Sequence, residues 1–189
     1  MGEAYGVELP EEEIKGIVRQ WRLAHPMTKN LWSELDRSAK DAVRNPGFLS
    51  AGYRGIKFMC GHGLLQMLIP SGRTLCYPAP KIEKVMKDWG PTEVIQYLDN
   101  EGAKKELYGG LLTENLTQAT ARDLLANAIF NVERRGYPVV LHVHDELVAE
   151  VPEGFGSIEE LCELMCIIPP WAIGLPLKAE GWRGKRYRK

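Results

Sequence analysis

An α+β fold, with antiparallel β-sheet packed on long helices, is what this sequence predicts, and three observations predict it. Apolar residues recur at helical spacing over residues 14–42 and again over 112–129. Short runs of alternating apolar and polar residues, bounded by Pro, Gly and Asn, fill the middle of the chain. The stretch 137–151, YPVVLHVHDELVAEV, sets two runs of branched apolar residues around a polar centre, the pattern of a tight antiparallel hairpin.

With 189 residues, 44% of them hydrophobic, the chain is long enough for one domain with a real core. The formal net charge is −1, which by itself does not point to nucleic acid. The distribution is less even: Glu3, Glu8, Glu11, Glu12 and Glu13 open the chain, and Arg183, Lys185, Arg186, Arg188 and Lys189 close it. Such a basic end binds phosphate or is simply solvated. Cys60, Cys76, Cys162 and Cys166 form no CxxC pair, so free thiols in a reducing compartment are expected. No apolar run approaches the roughly 18 residues that cross a bilayer, and the acidic start is not a secretory signal. A cytoplasmic protein with no membrane partner is the expectation.

Pro10 followed by three glutamates opens a first helix, with proline early and acids at the positive end of the dipole. Ile14, Ile17, Val18 and Trp21 continue it, and His25-Pro26 breaks it. A second helix is expected over 27–43, with Leu31, Trp32, Leu35, Ala39 and Ala42 inward, ended by Asn45-Pro46-Gly47. The tryptophans fall on the apolar stripe and read as core. Leu65, Met67 and Ile69 alternate before Pro70-Ser71-Gly72, and 74–77 returns, giving one hairpin; 94–98 and 105–108 around Asp99-Asn100-Glu101-Gly102 give another. His62 lacks further ligands at a metal spacing and reads as a loop residue. A long helix is expected over 113–135, stopped by Gly136. Leu112, Leu116, Ala119, Leu124, Ala128 and Ile129 form its packed side, while Asn115, Gln118 and Arg122 recur on another face. That polar row is either solvated or a binding surface. After the hairpin, Ser157 caps an acidic helix to about residue 167, with Ile158, Leu161, Leu164 and Met165 inward.

Chemistry concentrates at the 137–151 hairpin. Alternation sends Val139, Leu141 and Val143 to one face and Val140, His142 and His144 to the other. Asp145 and Glu146 then sit side by side at the tip beside His144. Two carboxylates on a rigid, open turn suit a hard cation of the Mg²⁺ type, which takes few carboxylates plus waters and phosphate oxygens. A solvated turn is the bland alternative.

An apolar strand, His-Asp-Glu and a second apolar strand resemble the third catalytic motif of the family A (polymerase I-like) DNA polymerases. YGVELPEEE…WRLAHP…LW…AVRNPG looks like the segment after the fingers in phage-type members, and Ile69-Pro70-Ser71-Gly72-Arg73 resembles the family's LPSGR-type turn. ENLTQATARDLL is similar to the helix that lies along the primer-template minor groove, and WAIGLPLKAEGWRGKRYRK looks like a natural phage-type C-terminus, an end expected to be complete. The resemblance covers essentially the whole chain and implies a palm-like sheet on long helices, incomplete relative to a full palm and fingers. Within a single domain 1–189 it implies a helical segment 1–47, β-hairpins over 48–110, and the palm helix, catalytic hairpin and C-terminus over 111–189.

It further implies Asp145 as one of two metal-binding aspartates, Glu146 as an assisting carboxylate and His144 near the primer terminus, where the alternative is a structural hydrogen bond. Gln118 becomes a minor-groove reader of pair geometry. Asn115 and Arg122 follow less directly, and Arg73 reaches a phosphate or is an exposed turn arginine. The motif with the second aspartate, Asp-Tyr-Ser-x-Ile-Glu, does not occur, nor does the fingers helix that grips the nucleotide. The expectation is therefore a C-terminal palm fragment of a DNA-directed DNA polymerase that binds primer-template DNA. It uses Mg²⁺ in a two-metal site it only partly supplies, and takes dNTP only with the missing fingers. It is inactive alone, and is completed by a partner polypeptide or self-associates through an uncovered sheet edge. The alternative is a non-catalytic prophage remnant or a DNA-binding or structural module.

Overall fold

A computed structural model describes residues 9–50, 52–87 and 90–187. The fold is α+β, with four α-helices and eight strands in three sheets among the described residues. By its internal contacts the chain falls into two compact units, residues 1–67 with 76–113, and 68–75 with 114–189.

The first unit opens with α1 (Glu11–Ala24) and α2 (Pro26–Arg44). His25 joins them with extended φ, because the residue before proline is driven from the α region. The inner face of α2 is Leu35, Ser38, Ala39 and Ala42, one stripe at helical spacing. Asn45 closes the helix by donating its side-chain amide to the Asp41 carbonyl at 2.9 Å. Against expectation α1 buries no residue. Trp21 stacks on Trp32 with ring centroids 5.6 Å apart yet stays 41% exposed, because α2 covers only one flank of its ring.

Strands β1 (Lys57–Gly61), β2 (Leu64–Leu68) and β3 (Thr74–Pro78) form a sheet in that order. Phe58, Cys60, Leu65, Met67 and Tyr77 bury its inner face. His62 is the loop residue expected: with Gly63 it makes a two-residue turn at φ +49° and +75°, the left-handed backbone such hairpins need. A second antiparallel sheet runs β4 (Lys81–Lys87), β5 (Gly90–Leu98), β6 (Lys104–Leu107). Asp99 turns β5 into β6 by accepting the Ala103 and Glu101 N–H groups at 2.8 and 3.0 Å; these bonds, the Ala103 one foremost, hold its carboxyl below the usual range. Strands β1 and β4 are additions to the expected hairpins. In β4 the lysines at 81, 84 and 87 break the two-residue alternation that marks a strand.

Helix α3 (Gly109–Arg134) begins four residues before its expected start. Gly109 and Gly110, which follow the end of β6, form its first turn, and a Cβ on Gly109 would lie 2.0 Å from the Trp32 carbonyl oxygen. Only glycine lets this end approach α2. From residue 114 onward α3 belongs to the second unit. There it buries Leu116, Ala119, Leu125, Ala128 and Val132, whereas Leu124 and Ile129 are half-buried. Gly136, at φ +95°, ends it with paired bonds from Tyr137 N–H to Val132 O and Gly136 N–H to Glu133 O, the pattern of a Schellman cap. Strands β7 (Val139–Val143) and β8 (Glu146–Ala149) form a two-stranded sheet. Ser157 caps α4 (Ile158–Met165), accepting the Glu160 N–H at 3.0 Å.

Candidate active-site hairpin

The hairpin rests on Tyr137. Its ring is buried, and its hydroxyl donates to Glu160 Oε2 at 2.7 Å and accepts the Ser157 N–H at 3.1 Å. The Phe155 ring meets it edge-on at 5.0 Å. The hydrogen bond accepted from the Tyr137 hydroxyl and the pairing with Arg135 hold the Glu160 carboxyl below the usual range, and the Glu160 carboxylate in turn pushes the Tyr137 phenol up. The start of β7 is tied to α3 by Val139 N–H donating to Glu133 Oε1 at 3.1 Å.

From this base β7 and β8 pair antiparallel, Val143 opposite Glu146, leaving His144 and Asp145 as a two-residue loop. His144 takes φ +51°, a left-handed conformation uncommon outside glycine but several-fold enriched for histidine. The register slips between Val139 and Leu141, so Val140 is the extra residue of a bulge and the simple alternation expected along β7 does not hold. No strand beyond each other flanks β7 or β8 among the described residues. Val140 and Leu141 are 57% and 43% exposed, an apolar surface on an uncovered edge.

At the tip His144 and Asp145 are exposed and Glu146 is half-buried. Tyr187 donates its hydroxyl to Glu146 Oε2 at 3.0 Å, and that carboxylate raises the Tyr187 phenol. The donor chemistry fits one side of a Mg²⁺ shell, two adjacent carboxylates open to water and phosphate oxygens. Among the described residues no group of three or more His, Cys, Asp or Glu side chains is placed to hold a metal ion.

The row on α3 is placed as expected on that helix. Gln118 and Arg122 are exposed and Asn115 is half-buried, and the Gln118 amide donates to Glu114 Oε1 at 3.3 Å. Arg73 is engaged within the protein: Nε donates to Asp123 Oδ1 at 2.8 Å and Nη2 to the Ala119 carbonyl at 2.9 Å. Ser71 donates to the other Asp123 oxygen, so one carboxylate clamps the 68–75 turn to α3. Reading the sequence alone missed Asp123, Glu160 and Tyr187. Asp123 follows Arg122 in a row read only for its outward polar side, and Tyr187 lies in a tail read only for its charge. No helix of the described residues is long and apolar enough to cross a membrane.

Compared with known proteins, the chain matches no protein-family model and no solved structure. It is 35% identical over 192 residues to a curated relative, the DNA polymerase of Bacillus phage SP02. That alignment takes in 98% of this chain and 29% of the relative, so what is similar is a portion of a phage DNA polymerase.

Proposed function

We propose that this chain is the C-terminal palm portion of a family A DNA polymerase and takes part in template-directed nucleotidyl transfer. The observation that carries the reading is the hairpin tip, where a two-residue loop presents Asp145 to solvent with Glu146 beside it. The similarity to a phage DNA polymerase supports it. Asp145 is a ligand of a two-metal Mg²⁺ site, completed by a second aspartate from outside this chain, and Glu146 assists. Divalent ions bound there would activate the primer 3′-hydroxyl and stabilise the leaving pyrophosphate. The protein's own contribution is to fix the carboxylates: the Tyr137 anchor, the Glu133 tie and the Tyr187 hydrogen bond hold the tip before substrate arrives, which is where positioning catalysis gains its advantage. His144 stands next to the primer terminus. Gln118, with Asn115 and Arg122, contacts the minor groove of primer-template DNA, where an amide tests pair geometry without reading sequence.

With part of the metal site and no triphosphate clamp, the chain alone does not polymerise; its partner is a polypeptide carrying the remaining polymerase motifs. Primer extension with Mg²⁺ tests this, comparing the chain alone with the chain co-expressed with such a polypeptide. Extension confined to the mixture supports the reading, and extension by neither sample leaves a non-catalytic remnant.

A further inference from the structure

We infer that residues 183–187 form a phosphate-binding segment at the hairpin tip, with Lys185 and Arg186 gripping the sugar-phosphate backbone of primer-template DNA beside Asp145 and Glu146; the inference rests on the reading above. Composition alone leaves this basic stretch either bound to phosphate or simply solvated. Its seating favours the first, because a solvated tail has no fixed place and this segment is held at both ends. Gly181 leads into it against α4, where a Cβ would come 3.1 Å from Ile158 Cγ2 and 3.3 Å from Cys162 Sγ. Arg183 Nη2 donates to the Phe155 and Gly156 carbonyls at 2.9 and 3.2 Å. Gly184 passes so close to the Trp182 ring that a Cβ would lie 2.4 Å from it. At the far end Tyr187 donates to Glu146 Oε2 at 3.0 Å, and Lys185 and Arg186 form the bend between these anchors.

Both cations of the bend are exposed. Among the described residues no ion pair engages Arg183, Lys185 or Arg186, and none engages Asp145 or Glu146. The segment is therefore tied to the tip by a neutral phenol, and its cations are not neutralised by the tip carboxylates. Neighbouring like charges repel, so a chain that fixes them side by side gains from an anion that bridges them. A phosphodiester fits that need: a guanidinium offers paired donors to phosphate oxygens, and an ammonium adds a compact charge. The carboxylates of the tip repel the DNA backbone that the reading above brings to them, and cations alongside offset that repulsion. Because the anchors hold the bend before DNA arrives, less freedom is lost on binding than in a loose tail.

The test is binding of the full chain to a fluorescent primer-template duplex, followed by anisotropy over a salt series with EDTA present so that no metal contributes. The double variant Lys185→Ala, Arg186→Ala should bind at least about tenfold more weakly near 0.1 M salt, and the slope of log affinity against log salt should fall by about 1–2. Tyr187→Phe keeps every charge but frees the bend from Glu146; it should weaken binding about threefold or more, the worth of one hydrogen bond, with the slope kept. Neutral methylphosphonates at the phosphates nearest the primer 3′ end should weaken the wild type and add nothing to the double variant. All substituted positions are exposed, and far-UV circular dichroism checks that each variant keeps the native fold. No binding by the wild type, undiminished binding by the double variant, or wild-type binding by Tyr187→Phe overturns the inference, the last by returning the segment to a solvated tail. A wild type indifferent to the methylphosphonates overturns it too, since the contact then lies away from the tip or with another anion. The polymerase reading fails separately. Primer extension by the assembled mixture with no effect of the segment variants on DNA binding leaves that reading standing alone, whereas the expected binding results with no Mg²⁺-dependent extension sink it and leave the phosphate contact.

Discussion

Tyr187 donates its hydroxyl to Glu146 at 3.0 Å, which ties Tyr187 to the acidic tip of the β7–β8 hairpin. The contact gives a titration signature. The Glu146 carboxylate pushes the Tyr187 phenol up, so Glu146→Gln should bring it back toward the ordinary value of about 10, read by ultraviolet difference titration with Tyr187→Phe as the assignment control. A raised folded value means that this bond supports the native state below pH about 10 and ceases to do so as pH rises through the folded value. An unchanged Tyr187 titration in Glu146→Gln would show that the tail does not rest on the hairpin.

Glu160, the partner of Tyr137, titrates in the opposite sense. Glu160 sits below the usual carboxyl range because it accepts a hydrogen bond from the Tyr137 hydroxyl and pairs with Arg135. Its support for the fold is complete above the unfolded value of about 4.3 and is lost as pH falls through the lower, folded value. Glu160→Gln is therefore expected to flatten the acid side of the stability profile in urea melts between pH 3 and 6. A profile parallel to the wild type would contradict that role.

Gly156 tests the same anchor sterically. A Cβ there would lie 1.9 Å from the Tyr137 hydroxyl oxygen, at φ +56°. Gly156→Ala should cost about 1–3 kcal/mol, the usual range for overpacking, measured by chemical denaturation. A neutral result would mean that the hairpin base yields freely.

Arg73 separates two roles that look alike in sequence. Because Asp123 binds both Arg73 and the Ser71 hydroxyl, Asp123→Ala should cost about 1–2 kcal/mol, near the lower end for charged hydrogen bonds since Arg73 is partly exposed. If the arginine serves the clamp, Arg73→Ala and Asp123→Ala destabilise alike and weaken primer-template affinity together. If it serves a phosphate, Arg73→Ala alone lowers affinity and the salt dependence of binding with it.

Gln118 is exposed and bonded only locally to Glu114 in the contacts described above, so Gln118→Ala should leave the melting temperature within a degree or so, as surface substitutions usually do. As a groove contact it should nonetheless lower extension from matched primer termini in the assembled enzyme. Unaltered extension would return the residue to plain solvation.

How much of this was legible in sequence depends on the signal each element carries. Leu35, Ala39 and Ala42 lie on a clean stripe, and α2 buries them as read. The hairpin tip and His62 follow from local turn chemistry, which needs no tertiary context. Strand β4 was hidden because its lysines obscure the alternation, and the first turn of α3 was hidden because only the nearby Trp32 carbonyl explains a helix that starts with glycine. Trp21 was read as core because periodicity marks a face as apolar without saying whether anything covers it. The carboxylates Asp123 and Glu160 act across 50 and 23 residues, separations at which no spacing rule applies.

The central claim is that Asp145 is a metal-binding aspartate of a polymerase assembled from more than this chain. Its most direct test is primer extension with Mg²⁺ by the assembled mixture carrying Asp145→Ala. Removal of a group that stabilises developing charge costs about 10²–10³-fold or more, so extension should fall by at least about a hundredfold while the variant folds and assembles as wild type. Extension at the wild-type rate would contradict the account.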